Sequence, residues 1–359
     1  PRLAPRAEAG APVTVVDIDE ASIDRVGQWP WPRTTIAKMV DSLGRMGAAA
    51  IAFDIIFAEP DRTSPARVVE QWQDADRFRD LVKTLPDNDE VFANAIGGSR
   101  VVTGFTLTEF PTPGAPPAAK ALFAYTKSSP AKFLTFYPGA LRNLPALEAR
   151  AAGNGAVSFS TDGDGVIRRV PLLFSLKGTL YPSLAAEALR VATGSRIDIV
   201  KDNPYGIESM KIGPFAIETD RNASVWQHFS PPVPARYIPA WQVIEGVAPK
   251  DQLKDAILFV GTSAKGLQDL RFSPLGQIIP GVEVHAQLVE QVLSGTYLLR
   301  PGWAGGAEIG LLLLAGGLLL YLVPRLGAIW AAGAGLAIIA AACLAAWYAF
   351  IHMRLFFDP

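Results

Sequence analysis

Cysteine and histidine are scarce in this chain, and charge of one sign does not predominate. Cys343 is the one cysteine among 359 residues, so we expect neither a disulfide framework nor a cysteine nucleophile in the preceding part. The 3 histidines disfavour a histidine metal site or a Ser-His-acid triad. Because 33 basic residues face 34 acidic ones, there is no basic surface to attract nucleic acid, and we expect no nucleic-acid partner.

Charge nearly disappears after residue 300, where the sequence becomes strongly apolar. The charged residues of this part are Glu308, Arg325, Arg354 and Asp358. A helix needs about 20 apolar residues to cross a bilayer. We therefore predict transmembrane helices at 304–323 and 326–351, separated by a tight turn at Pro324 and Arg325, with the lipid bilayer as a partner. The alternative is a buried hairpin in a large soluble core, which a charge-free run of this length disfavours.

Small residues recur at a four-residue spacing in this apolar part, at Gly306 and Gly310 and again at Gly327, Ala331 and Gly335. Such spacing lets helix backbones approach closely and predicts helix packing, either within the chain or between protomers. An arginine in the predicted turn agrees with a cytoplasmic turn and a large domain on the opposite side of the membrane.

The first part of the chain has the pattern of an α/β protein. A β-branched run at 13–19 is followed by a helical pattern that begins at Pro32 and by a continuous apolar run at 49–57. Strand, helix and apolar strand in this order are typical of a parallel βαβ unit covered on both faces. We predict a mostly parallel or mixed sheet with helices on both faces, followed by transmembrane helices.

Further elements follow from local patterns. Residues 210–219 predict a strand pair around Gly213 and Pro214, and 183–192 predict a helix. An Asp-Gly turn at 161–165 lies between β-rich runs and predicts a hairpin. The polar stretch 64–85 predicts a helix.

Three aspartates, Asp17, Asp19 and Asp54, lie at or near the carboxyl ends of predicted parallel strands, where open α/β sheets place their ligand crevice. Together they could bind a divalent cation or hydrogen-bond a polar ligand. The alternative is structural: Asp17 and Asp54 accept backbone hydrogen bonds or pair with Arg33. We favour the structural role, because no further acidic motif completes a metal site.

Two tryptophans, Trp29 and Trp31, alternate with Pro30 and Pro32. Residues confined in this way cannot continue a strand or occupy a helix interior, so they either line a pocket or fill the end of the sheet. We favour the second role.

Two further features have competing interpretations. Asp162 and Asp164 have the spacing of part of a calcium loop, but later ligands are missing, which favours a plain turn. His285 begins a predicted helix, where a capping or core role is favoured over ligand contact.

Several segments together resemble a known family: VVDIDEASIDRVGQWPWPR, GAAAIAFDIIFAEPD, DGDGVIRRVP, ILFVGTSAKGLQD and IPGVEVHAQLVEQVL. They are similar to the second type of CHASE domain, the cyclases/histidine kinases associated sensory extracellular domain. The resemblance assigns no chemistry to its motif positions, which are Asp17, Asp19, Trp29, Trp31, Arg33, Asp54, Asp162, Arg168, Asp269 and His285.

The resemblance also implies an architecture. Residues 1–12 would be a linker from an upstream membrane helix, 13–299 an extracytoplasmic sensory domain, and 352–359 the start of a loop toward a further helix. The large domain would lie on the periplasmic side of the bacterial inner membrane and bind an unknown ligand.

The resemblance further implies that the output domain lies beyond these residues. We expect no catalytic centre and no cofactor in this region, and a class III adenylate cyclase that uses ATP and Mg²⁺ or Mn²⁺ as the output. Because such a cyclase centre forms between two catalytic domains, a homodimer is implied. The alternatives are a histidine or serine/threonine kinase output, or a membrane-anchored periplasmic enzyme that uses the three aspartates.

Overall fold

The computed structural model describes residues 4–7, 10–72, 75–126, 129–267, 269–300 and 302–356. The chain divides into two units, residues 1–295 and 296–359. The first unit holds all the strands described below and the helices up to residue 294, and the second holds two long apolar helices.

Strands and helices are numbered in chain order. The strands are β1 (Val13–Ile18), β2 (Ala50–Phe53), β3 (Val101–Thr108), β4 (Leu122–Tyr125), β5 (Phe136–Tyr137), β6 (Gly139–Leu141), β7 (Gly153–Ala156), β8 (Arg169–Pro171), β9 (Leu173–Leu176), β10 (Thr179–Pro182), β11 (Ile197–Asn203), β12 (Gly206–Ile212), β13 (Phe215–Glu218), β14 (Ser224–Trp226), β15 (Tyr237–Pro239), β16 (Ile257–Thr262), β17 (Leu270–Phe272) and β18 (Ile278–Pro280). The α-helices are α1 (Glu20–Val26), α2 (Arg33–Arg45), α3 (Pro65–Val69), α4 (Ala75–Val82), α5 (Asn88–Gly97), α6 (Pro145–Arg150), α7 (Leu184–Thr193), α8 (Ala240–Ile244), α9 (Lys250–Leu253), α10 (Gly281–Ser294), α11 (Ala304–Leu326) and α12 (Ala328–Tyr348).

The main sheet has the strand order β15-β1-β16-β2-β3-β7, and each neighbouring pair is parallel. Strand β6 adds an antiparallel partner at the end of β3. The predicted βαβ unit is present as β1, α2 and β2, but β16 lies between its two strands. A local strand-helix-strand pattern predicts that two strands are parallel, but it does not indicate whether another strand lies between them.

Helices cover both faces of this sheet, which confirms the predicted α/β class. On one face α2 packs against α5 and α8, and α5 packs against α6. On the other face α7 and α10 pack on the sheet and on each other. Because both faces are covered, β1 and β2 are buried along their whole length, as expected of strands with mostly apolar sequences. Strand β7 (GNGA) is equally buried although its sequence is not apolar.

Smaller sheets extend the domain beside the main sheet. One has the order β13-β12-β11-β4, and its antiparallel pair β12–β13 confirms the strand pair predicted at 210–219. The hairpin predicted around the Asp-Gly turn is wrong, because β7 belongs to the main sheet whereas β8 pairs with β14. Both flanking runs find partners distant in sequence, so the turn joins two sheets.

The polar stretch predicted as one helix at 64–85 contains two short ones, α3 and α4. Residues 73–74, between them, lie outside the described residues. Trp72 and Phe78 meet edge to face at 5.2 Å, and both keep much of their surface exposed.

The second unit consists of α11 and α12, followed by a π-helical turn at Ala349–Met353. Two 22-residue segments within it, Ala304–Arg325 and Ala332–Met353, are long and apolar enough to cross a membrane. The turn predicted at Pro324 and Arg325 is wrong, since both residues belong to the last turn of α11. The helix ends at Leu326 and is followed by Gly327, whose φ of +77° is open to glycine but unfavourable for other residues.

The predicted small-residue faces are only partly on helix surfaces. Gly335 faces Leu319, with 3.6 Å from the Cβ position of Gly335 to a methyl group, so it contributes to packing between α11 and α12. Gly327 lies between the two helices and belongs to neither face. Around the Cβ positions of Gly306 and Gly310 no described atom lies within 4 Å. The side chain of Ala331 lies outside the described residues.

Candidate functional site

The carboxyl edge of the main sheet meets the first turn of α10. Asp17 of β1 pairs in register with Gly261 of β16, and Asp54 continues β2 at the same level, donating its backbone N–H to Val260. A Cβ at Gly261 would lie 2.6 Å from that of Val282, so only glycine allows α10 this close. Side chains at one level of parallel strands point to the same face. Asp17 and Asp54 therefore flank the first turn of α10, with Cα atoms about 10 Å apart.

Asp17 is 7% exposed, and only one of its two carboxylate oxygens accepts a hydrogen bond. Ser263 donates its hydroxyl to one carboxylate oxygen at 2.6 Å, while the other, Oδ1, has no hydrogen-bond partner among the described residues. Burial raises the pKa of Asp17 to about 6, the Ser263 hydrogen bond opposes this change, and the charge of Asp19 adds to it.

Asp54 lies near a second charged pair. Burial of its carboxyl group, together with the charge of Asp269, raises the pKa of Asp54 to about 7, and Arg271 opposes this increase. Asp269 forms an ion pair with Arg271, and its carbonyl oxygen accepts a hydrogen bond of 2.8 Å from the backbone N–H of Gly281. The motif residue Asp269 thus lies at the beginning of α10, beside Asp54.

His285 is fully buried within α10. Its ring lies between Phe259, with ring centroids 6.1 Å apart, and Phe159, with centroids 4.5 Å apart. Burial lowers the pKa of His285 to about 3, so the ring is neutral at physiological pH. The structure therefore places His285 in the packing between α10 and the sheet, which is the predicted core role.

Asp19 and Arg33 fix loops at the edge of the domain. Asp19 accepts a hydrogen bond of 2.8 Å from the backbone N–H of Ser22 and so caps α1. The prediction that Arg33 pairs with Asp17 or Asp54 is wrong. Its backbone N–H instead donates to Asp61 at 2.7 Å, and its guanidinium lies 3.5 Å from the carboxylate of Asp89.

The network around Arg33 was not foreseen from the sequence. Burial would raise the pKa of Asp61, but hydrogen bonds from Arg33, Thr63 and Asn88 outweigh it and lower that pKa. The guanidinium of Arg33 also lies over the ring of Phe57, 4.5 Å from its centroid. These contacts join the start of α2 to the loop after β2.

Trp31 is 2% exposed and belongs to the main core. Its indole N–H donates to the carbonyl oxygen of Gly27 at 2.7 Å, and its ring meets that of Trp29 edge to face at 5.4 Å. The two rings pack on one another and on the core.

The carboxylates of the Asp-Gly turn bind arginines. Arg168 donates to Asp162 at 2.9 Å and to Asp164 at 2.7 Å, and Arg169 also donates to Asp162. The hydrogen bonds from Arg168 lower the pKa of Asp164 to about 2. In the described part of the chain no group of three or more His, Cys, Asp or Glu side chains could hold a metal ion.

A buried ion-pair network lies along α10 and was missed by the sequence analysis. It consists of Arg6, Arg236, Glu283 and Glu290, each at most 5% exposed. Arg6 pairs with Glu290, Arg236 pairs with Glu283, and Arg236 also donates to Glu290 at 2.8 Å. Two cations and two anions thus balance one another, as burial of charge requires.

A pattern in the sequence could have indicated this network. Polar residues recur at positions 283, 287, 290 and 291 of an otherwise mostly apolar helix, which places them on one face of α10. Gln287 donates to Glu283 at 2.8 Å and accepts at the same distance from the backbone N–H of Ser230. Charged residues are almost never fully buried unless they are paired, so such a stripe predicts buried partners elsewhere in the chain.

The network joins the first and the last part of the α/β unit's sequence. Arg6 precedes β1, and Glu290 lies in the C-terminal half of α10. Tyr237 of β15 lies near both Glu283 of the network and Asp17 of the sheet. Burial raises the pKa of Tyr237, and the neighbouring carboxylates of Glu283 and Asp17 raise it further. Charged and polar groups therefore extend from Asp17, along α10, to Arg6.

Comparison with known protein families provides the identification. The family model of the CHASE2 domain matches residues 2–320. The chain belongs to the CHASE2 family. This confirms the resemblance, and CHASE2 is a family of extracellular sensory domains. No curated protein and no solved structure matches the chain.

Proposed function

We propose that this CHASE2 chain is the periplasmic sensory domain and part of the membrane region of a bacterial receptor in the inner membrane. Its output would be a cytoplasmic class III adenylate cyclase, which uses ATP and Mg²⁺ or Mn²⁺. A change in the sensory domain would then alter the rate of cyclic AMP synthesis.

The observation that carries the proposal is the position of α10. This helix is buried on the sheet and bound by the ion-pair network, and residues 295–303 alone separate it from α11. A stretch this short transmits displacement of α10 to the next helix more readily than a long flexible linker would. Displacement of α10 in the CHASE2 domain would thus be coupled to the bilayer.

The proposed receptor works as a homodimer. Gly306 and Gly310 lie on α11 with open space around their Cβ positions in the described structure, whereas Gly335 packs against Leu319 in the same chain. The open glycines therefore provide a surface for close approach of a second protomer in the membrane.

The topology can be tested by thiol labelling. In a Cys343→Ser background, we expect an impermeant thiol reagent to label Lys250→Cys on intact cells, because Lys250 is exposed on the sensory domain. The matched variant Arg325→Cys, in the last turn of α11, should be labelled only after lysis. Labelling of Lys250→Cys that requires lysis would contradict a periplasmic domain.

A membrane-anchored periplasmic enzyme and a kinase-coupled sensor are the competing functions. Catalytic turnover by the purified chain would favour the enzyme. Output from a kinase domain would preserve the sensory function and change only the signal it produces.

A further inference from the structure

Asp17 and Asp54 form a carboxylate pair on either side of the first turn of α10. They occupy one level of the sheet, separated by Gly261, where the absence of a side chain lets Val282 approach. The pair therefore lies where the sheet supports the helix that leads toward the membrane.

Both carboxylates lack partners that would stabilise an ionised group. Asp17 is 7% exposed and its Oδ1 accepts no hydrogen bond from the described residues, while Asp54, which is partly exposed, forms no ion pair or hydrogen bond through its carboxylate there and lies near Asp269. Burial of Asp17 with one unsatisfied oxygen, and the acidic neighbour of Asp54, both favour the protonated form. The described residues offer no metal-binding group that could take the place of the proton.

The surrounding groups also disfavour ionisation. Asp17 faces Asp19 from the start of α1, Ser263 after β16, Tyr237 of β15 and, beyond Tyr237, Glu283 of α10. Asp54 faces Asp269 and Arg271, and the neutral ring of His285 lies beyond Arg271. Most charged neighbours are acidic, and Arg271 is already paired with Asp269.

We propose that the stimulus of this sensory domain is the proton, which binds the carboxylate pair Asp17 and Asp54 and is released as the extracytoplasmic pH rises. The inference rests on the proposed sensory function and names its stimulus. On release, negative charge appears beside Asp19 on one side of the first turn of α10 and beside Asp269 on the other. Repulsion between Asp54 and Asp269, whose carbonyl oxygen accepts from the Gly281 N–H, then loosens the first turn of α10.

The direction in which stability changes with pH follows from the two pKa values. Burial raises the pKa of Asp17 to about 6 and that of Asp54 to about 7, above the ordinary value of about 3.9. Their contribution to stability is therefore complete below pH about 4 and is lost as the pH rises through 6 and 7. The neutral range of extracytoplasmic pH lies within this interval.

The test is a pH titration of the full chain in lipid nanodiscs, with ¹³C-carboxyl aspartate and ¹⁵N-glycine observed by NMR. Asp17→Asn and Asp54→Asn assign the two carboxyl signals. We expect their midpoints near 6 and 7, against about 2 for Asp164, with shifts of the Gly261 and Gly281 amides at the same midpoints. The double variant should abolish those amide shifts.

Asp198 provides the matched control, because burial raises its pKa to about 7 in the smaller sheet, beside Glu187 and Arg190. Asp198→Asn should leave the amide shifts of Gly261 and Gly281 unchanged. Titration of Asp17 and Asp54 with ordinary midpoints would overturn the proposal, as would neutral midpoints without movement of Gly261 and Gly281. Because the purified chain is used, either failure leaves the proposed membrane topology intact.

Discussion

Replacing Glu290 by alanine should lower the free energy of unfolding of the sensory domain by about 3–5 kcal/mol. Glu290 binds both Arg6 and Arg236 in the buried network, so its removal leaves two guanidinium groups with one carboxylate, that of Glu283. An uncompensated charge in a buried site costs several kcal/mol, far more than an exposed ion pair contributes. Chemical denaturation monitored by tryptophan fluorescence measures the difference.

The matched control is Glu208→Ala. Glu208 pairs with Lys201 at 2.7 Å, but the Lys201 side chain is largely exposed and that of Glu208 is partly exposed. Its loss should cost about 0–1 kcal/mol. Equal costs for the two variants would show that the buried network does not hold Arg6 and α10 together.

Trp31→Ala should destabilise the domain by about 3–5 kcal/mol, because it empties a large volume in the main core. The side chain is 2% exposed and also donates a hydrogen bond to Gly27. Trp72→Ala is the control, since Trp72 is 49% exposed in the stretch between α3 and α4 and should cost far less.

Thermal melting of both tryptophan variants checks the expectation. A Trp31→Ala domain that melts like the parent but no longer responds to its stimulus would contradict the structural role. It would indicate instead that the tryptophan contacts a ligand.

Local sequence patterns predicted which segments form strands and helices better than they predicted which strands pair with one another. The strands β1 and β2 and the helix α2 follow from hydrophobic spacing, and so does the pair β12–β13 around a Gly-Pro turn. The insertion of β16 between β1 and β2 depends on pairing across about two hundred residues, which no local pattern records. The Asp-Gly turn shows the same limit, since β7 and β8 pair elsewhere.

For the candidate site, the sequence predicted where the aspartates lie but not what they contact. Asp17 and Asp54 lie at the carboxyl edge of the sheet, as their positions after apolar runs predicted. Their relation to α10 depends on Gly261, because a glycine at one level of the sheet allows a helix to approach. Arg33 was assigned the wrong partners, since Asp61 reaches it from an irregular loop and Asp89 reaches it from the first turn of α5.

We propose that the CHASE2 domain controls a cyclase through the membrane helices. The most direct measurement is cyclic AMP formation from ATP by the full-length protein in membranes, compared with its Gly310→Leu variant. Leucine at this open position on α11 should change the basal rate by altering contact between protomers, while the melting temperature of the sensory domain stays that of the parent. Transfer of phosphate to protein without cyclic AMP, or identical rates in the two proteins, would contradict cyclase control through the membrane helices.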